Sequence, residues 1–325
     1  MEKNSLYQVR DFGEKFNATF DFFKQTWKTF FRFSLYVLLP LALLMAVGTD
    51  EYYSNALSAA AGSVASDPME VLSETGPAVS IMMVASIVAT AFIFSLAYGL
   101  MKCSQKGISL DGLTFKDFWQ RVQGRCFKRT FNILLFGILL LILATVVLAL
   151  LAAVSPYTLI VTIPALVVFL LPLSLWSPIY LIEDDTHLIG ALRKSYRYGM
   201  KTWGSLFVLA LVMTIIVYMV SFLFQLPSII MLSIKALAFP QLEGFGSMAY
   251  TFLTFIVTVA GSFFSWIAME LYLIAFGYHY GSAAEKIDNV TAANGITHFD
   301  EMGDNNADDP ALEPKRSDID DFEKI

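Results

Sequence analysis

Six long runs almost free of charge constrain this chain more than any other feature. They are Phe33–Val47, extended at its start by the aromatic stretch Lys28–Phe31, then Ala78–Met101, Phe131–Val154, Tyr157–Ile182, Gly204–Leu232 and Tyr250–Phe276. A helix needs about 20 consecutive apolar residues to cross the hydrocarbon core of a bilayer. Inside that core every backbone N–H and C=O must be satisfied within the protein, which favours whole helices. The runs therefore predict an all-α fold, a polytopic transmembrane helix bundle of about six spans. Five spans result if the first run lies in the interface, and seven if the long fifth run breaks. Only Ser155-Pro156 separates the third and fourth runs, so those two form a hairpin with a minimal turn. Lys235 would close the fifth run by snorkelling to an interface.

Composition agrees with the bilayer reading. The chain is 56% hydrophobic and 15% charged, whereas soluble domains carry about a quarter charged residues. The formal charge of −6 is local: residues 284–325 hold 12 acids and 4 bases, and the remainder is slightly basic. This acidity gives no footing for a nucleic-acid partner. Two domains are expected, a membrane bundle over 1–283 and an acidic cytoplasmic tail over 284–325. The tail is rich in Asp, Asn and Gly and cannot bury enough apolar surface to offset its ordering entropy. Ile296, Phe299, Met302, Ile319 and Phe322 are its possible docking anchors. The two cysteines, Cys103 and Cys126, share one polar connection without CxxC spacing, so no disulfide framework is expected. About thirty polar and aromatic residues precede the first run, a pattern unlike a cleavable signal peptide.

The bases orient the bundle. With the N-terminus inside, the inner segments hold 17 of the 18 bases that precede the tail. The outer loop Thr49–Pro77 contains Asp50, Glu51, Asp67, Glu70 and Glu74 and no base. Lys and Arg in short loops mark the cytoplasmic side, which predicts both chain ends in the cytoplasm.

An amphipathic stretch precedes each odd-numbered span. Phe16, Phe20, Phe23 and Trp27 superpose on Phe115, Trp119, Val122 and Cys126 with an offset of 99 residues. An offset of 176 gives Leu192, Tyr196, Gly199 and Trp203. The spacing gathers the apolar positions on one helical face, as in a basic helix lying among headgroups. The expected unit is an interfacial helix plus a two-span hairpin, used three times. The stretches could instead cover the cytoplasmic end of the bundle.

The sequence lacks an HExxH, a phosphate-binding Gly loop, a GxSxG elbow and a dinucleotide fingerprint. His187, His279 and His298 are scattered, and no cofactor or metal is expected. His279, between Tyr278 and Tyr280, reads as an interfacial aromatic belt. Glu270 is the one acid well inside an apolar run, and such residues are by default functional or paired. Ser262, Trp266 and Glu270 repeat every four residues, a polar stripe expected to face the bundle. The fourth span interleaves Pro164, Pro172 and Pro178 with Thr162, Ser174 and Ser177. Gln225-Leu-Pro227 is a weaker instance in the fifth. Prolines kink membrane helices and free carbonyls that hydroxyl groups can satisfy, and transporters build midplane sites from such breaks. The sharper expectation is a polar cavity lined by Ser174, Ser177, Gln225 and Glu270.

The pattern Ala191-Leu192-x-x-Ser195, followed by Trp203 and a hydrophobic hairpin, resembles a group of six-span bacterial proteins related to the membrane domain of glycerophosphodiester phosphodiesterases. The stretch Phe276-Gly-Tyr-His-Tyr-Gly-Ser-Ala-Ala-Glu-Lys-Ile-Asp288 is similar to the end of the last span in membrane proteins of Bacteroidota. The resemblance covers roughly residues 10–300. It implies architecture and a bacterial inner membrane, since the phosphodiesterase chemistry of that group belongs to a separate soluble barrel for which this chain is too short. The function expected is that of a non-enzymatic inner-membrane protein, structural or accessory in the envelope, with membrane lipids and other envelope proteins as partners. The alternative is a carrier for a small or lipid-like solute, using Glu270 and the fourth span.

Overall fold

A computed structural model describes residues 5–60, 68–108, 110, 112–155, 157–238 and 245–293. The helices in chain order are α1 (Phe12–Ala60), α2 (Pro68–Gln105), α3 (Phe115–Phe118), α4 (Gly124–Val154), α5 (Thr158–Leu170), α6 (Trp176–Ile182), α7 (Leu188–Lys201), α8 (Trp203–Ala238) and α9 (Phe245–Asp288). A π-helical turn, Trp119–Gln123, joins α3 to α4, and a 3-10 turn, Leu171–Leu175, joins α5 to α6. No strand occurs among the described residues. Six segments are long and apolar enough to cross a membrane: Phe12–Tyr53, Ser73–Gln105, Gly124–Val154, Thr158–Ile182, Trp203–Ile234 and Met248–Asp288. They coincide with the six apolar runs, and the chain is a multi-pass α-helical membrane protein. Pro156, Asp67 and residues 294–325, including the five anchors proposed in the tail, lie outside the described residues, as does the side chain of Lys235. α9 runs to Asp288, past the 283/284 boundary read from the sequence.

Helix ends follow local chemistry. Asp11 and Glu14 form a reciprocal capping box at the start of α1: the Glu14 N–H donates to Asp11 Oδ1 at 2.7 Å and the Asp11 N–H to Glu14 Oε2 at 2.9 Å. α2 stops at Gly107, whose φ of +66° suits a residue without a Cβ. There the Ile108 N–H reaches the Cys103 carbonyl at 3.0 Å and the Gly107 N–H reaches Ser104 at 3.2 Å, which closes the last turn.

α9 is the hub, packing against α1, α2 and α8, while α1 also packs along α2. Helices in lipid gain little from hiding apolar surface, so close approach of small side chains matters more. α1 and α2 show this at Ala42, Ala46, Ala85 and Ala89, all buried. Aromatic rings fill the wider part of the core, with Phe30, Phe33, Phe92 and Phe276 almost fully enclosed. The α4–α5 hairpin joins this assembly at its base, where α4 packs on α2 and buries Cys126, Thr130 and Ile133. α5 packs only on α4 and the 3-10 turn among the contacts of any extent.

The three amphipathic stretches take three forms. The first is continuous with its span: α1 is one 49-residue helix, about 74 Å long at 1.5 Å per residue. Its early turns bury Ala18 and Phe22 in the bundle, and Phe16, Phe20 and Phe23 pack toward Leu209 and Met213 of α8. It therefore covers the end of the bundle. The second stretch reaches its span through the π-helical turn. The third, α7, is a separate helix, set off from α8 at Thr202, which leaves helical geometry with φ −116° and ψ 21°.

Candidate functional site

The base-bearing ends of the helices meet at one end of the bundle, where a polar network ties them together. Glu183 and Asp184 follow α6 directly. Glu183 accepts from Lys194 Nζ at 2.6 Å, from the Tyr280 hydroxyl at 2.7 Å and from Thr186. Asp184 pairs with Lys102 and, at 3.2 Å, with Lys106. Arg129 of α4 donates to the carbonyls of Tyr180 at 2.9 Å, Glu183 at 2.6 Å and Asp184. Asp288 pairs with Arg197 and accepts from the Tyr198 hydroxyl at 2.6 Å. Burial, followed by the hydrogen bond and charge of Asp288, pushes the Tyr198 phenol above its ordinary value. Neither Glu183 nor Asp184 belongs to a motif recognisable in the sequence. The available signal was three consecutive acids, Glu183-Asp184-Asp185, inside an otherwise base-rich segment.

The aromatic belt expected around His279 is absent from that position. Tyr278, His279 and Tyr280 are all buried within the end of the bundle. A helix that serves as hub has no lipid-facing side there. His279 Nε2 bonds the Thr202 hydroxyl at 3.1 Å, while Nδ1 has no hydrogen-bond partner among the described residues. Cys103 and Cys126 are both buried and are not joined in a disulfide. Among the described residues, no three His, Cys, Asp or Glu side chains are grouped so as to hold a metal ion.

The six residues singled out from the sequence go to different places. Glu270 is fully enclosed; Ser34 of α1 donates to its Oε1 at 3.2 Å, and Oε2 has no hydrogen-bond partner among the described residues. An ionised carboxylate there would have no cation within ion-pair distance among the described residues, an arrangement that costs several kcal/mol. Ser262 is buried on the same helix, and Trp266 is half-buried. Ser174 and Ser177 instead serve the broken fourth span. Pro178 leaves the Ser174 carbonyl without its i+4 donor, and the Ser177 hydroxyl approaches it at 3.5 Å. Ser174 itself donates to the Leu171 carbonyl at 2.7 Å, and Ser177 meets the Tyr98 hydroxyl at 3.4 Å. Likewise Pro172 frees the Val168 carbonyl, which the Trp203 indole reaches at 3.3 Å, and Tyr196 donates to Phe169 at 2.9 Å. The prolines thus make a break that hydroxyl and indole groups repair. α7 seats on that break where Gly199 meets Pro172; a Cβ at Gly199 would lie 2.6 Å from the proline Cβ. Gln225 lies at the α8–α9 contact, its Cα against Gly261.

A different group of residues forms the most site-like feature within the membrane. α2 and α8 both pack on α9 but scarcely on each other, which leaves a groove of about 470 Å³ between them with α9 as its floor. Six hydroxyl-bearing residues line it, Thr90 of α2, Thr214, Tyr218 and Ser221 of α8, and Ser265 and Tyr272 of α9; Ser265 donates to the Ser221 carbonyl at 3.5 Å, and Tyr272 and Thr214 hydrogen-bond each other. Trp266, Phe94 and Met269 supply apolar surface, and no charged side chain lines the groove. Of the six residues proposed from the sequence, Trp266 alone lines this groove. Serine, threonine and tyrosine rarely attract notice in an apolar run, because each also bonds its own helix; here they gather only when three helices are brought together.

Fold and groove together define the class as a multi-pass helical membrane protein with a lateral, uncharged, hydroxyl-lined cleft. No protein-family model, curated protein or solved structure matches the chain.

Proposed function

We propose that this protein is a non-catalytic, accessory component of a bacterial inner membrane that holds an uncharged lipid-like molecule in the groove between α2 and α8. One observation carries the reading: six hydroxyl-bearing residues and a tryptophan line a mid-span cleft in which no charged residue occurs among the described residues. In hydrocarbon such groups gain from a hydrogen-bonding partner, and an amphiphile with apolar surface and neutral acceptors supplies both kinds of contact. A charged solute would find no counter-charge. The gathering of bases at one end supports an orientation with that end, and both termini, in the cytoplasm. Kinship with the six-span group related to glycerophosphodiester phosphodiesterase membrane domains belongs to the same proposal. It is supported by the Ala191-Leu192-x-x-Ser195 stretch, whose Ala191 and Ser195 are buried.

The test is extraction into nanodiscs directly from native membrane, with mass spectrometry of the retained lipids. The wild-type protein is expected to hold a neutral species that Ser265→Phe, which fills the floor of the groove, retains at least about tenfold less. Equal retention by a folded Ser265→Phe protein would overturn the reading.

A further inference from the structure

A second cavity, of about 360 Å³, lies at the base-rich end where α1 and α8 begin and α9 ends. Four cations line it: Arg10 just before α1, Lys15 in its first turns, Lys201 at the end of α7 and Lys286 near the end of α9. The single carboxylate in the lining, Asp11, is engaged as the cap of α1. Lys15 and Arg10 are 6% and 7% exposed, yet neither lies within ion-pair distance of an acid among the described residues. Lys15 Nζ donates to the Ser205 hydroxyl at 3.2 Å. Arg10 reaches the Leu6 carbonyl at 3.2 Å, the Gln8 side chain at 3.1 Å and the Ser5 carbonyl, and lies over the Tyr278 ring.

Two enclosed cations with no ion-pair partner, facing only the capping carboxylates Asp11 and Glu14 at longer range, leave an excess of positive charge that an anion in the cavity would offset. The site also receives the start of α8 at Gly204 and Ser205. The first backbone N–H groups of a helix have no acceptor within the helix and carry partial positive charge. Tetrahedral oxyanions suit such a combination of lysine, hydroxyl and helix N-terminus. The cavity is independent of the groove. Leu209, Met213, Leu271 and Ala275 occupy the neighbouring turns of α8 and α9, and with Phe16 and Phe20 of α1 they form a packed apolar cluster beneath it.

We infer that this cavity binds a phosphate group at the membrane surface, carried either by an anionic phospholipid headgroup or by a soluble phosphate ester. The inference does not rest on the occupant proposed for the groove.

The full-length protein is reconstituted in nanodiscs of phosphatidylcholine alone or with phosphatidylglycerol, and its thermal unfolding is followed with and without glycerol 3-phosphate. A phosphate site gives a saturable rise in midpoint. Dependence on phosphatidylglycerol, unmoved by glycerol 3-phosphate, assigns the lipid source. Saturation by glycerol 3-phosphate in phosphatidylcholine discs assigns the soluble one. Lys201→Gln with Lys286→Gln leaves both buried cations in place and changes two exposed side chains, so folding is retained. The double variant is expected to weaken binding at least about tenfold, and Lys15→Met to weaken it further. No saturable effect from either phosphate source, or an effect unchanged in the double variant, would overturn the inference. Because the groove keeps its residues in these variants, failure here leaves lipid retention by the groove unaffected.

Discussion

α9 and the α4–α5 hairpin are both long apolar segments, yet 44% of the most apolar window of the last span is buried inside the protein, against 6% for α4 and 11% for the fourth span. In a soluble protein the more apolar segment is the better buried one. Here the order is reversed, because lipid tails solvate leucine and valine as well as another helix does. Burial instead follows residues that let backbones approach or that make directional bonds. α9 has Gly261 against α8, Ser265 toward Ser221 and Glu270 against Ser34. From Ile138 to Val154 α4 offers, apart from Thr145, aliphatic side chains, many of them more than half exposed, and Gly137 faces open space. The hub is held by specific contacts, and the hairpin is held mainly at its base.

This contrast is most directly broken by paired truncations. Phe30→Ala removes a fully enclosed ring from α1, which should cost about 3–5 kcal/mol as a core cavity. Leu143→Ala removes a side chain that is 59% exposed on α4 and should change stability by about 0.5 kcal/mol or less. Reversible unfolding in mixed detergent micelles measures both, and comparable losses at the two positions would erase the distinction. A smaller effect is expected where the hairpin meets the rest of the protein. Gly199→Val forces a side chain into Pro172 and should cost about 1–3 kcal/mol by overpacking. The sharper readout is cysteine crosslinking between α7 and the 3-10 turn, which should fall in the variant, while α8–α9 crosslinks stay unchanged.

The span count was legible because length and charge depletion are one-dimensional properties, and each of the six runs became one helical segment. The separation of acids from bases likewise anticipated which helix ends share a side. The site was far less legible. Ser174 and Ser177 looked like cavity residues because proline breaks and hydroxyl groups also occur in binding sites, and only the geometry shows that they repair their own span. Glu270 is buried in the bundle, but its partner Ser34 lies 236 residues away, and a lone serine in an apolar run carries no mark of that meeting. The composition around His279 suits a lipid-facing belt, and composition cannot tell a hub helix from a peripheral one. The groove was missed for the same reason: its six hydroxyl groups come from three helices, and each is unremarkable in its own sequence context.

The smallest effect concerns the staple that holds the base of the hairpin to the end of α2. Asp184, just past α6, pairs with Lys102 and Lys106 at the end of α2. Partial burial opposes ionisation of Asp184, but the hydrogen bond and charge of Lys102, with those of Lys106, outweigh it and hold the carboxyl below its usual range. A carboxylate whose folded value lies below its unfolded one contributes fully above the unfolded value, and that contribution is lost as pH falls through the folded value. The staple should therefore be intact from neutral pH down to about 4, the ordinary aspartate range, and weaken only below it. Asp184 is 43% exposed, so solvent screening limits the pair to about 1 kcal/mol or less at neutral pH. Asp184→Asn should lower the midpoint of thermal unfolding slightly at pH 7 and flatten its decline between pH 4 and 3. If wild type and variant declined in parallel over that interval, the tether would have to be sought in Arg129, whose three bonds to the carbonyls after Ile179 do not titrate with a carboxylate.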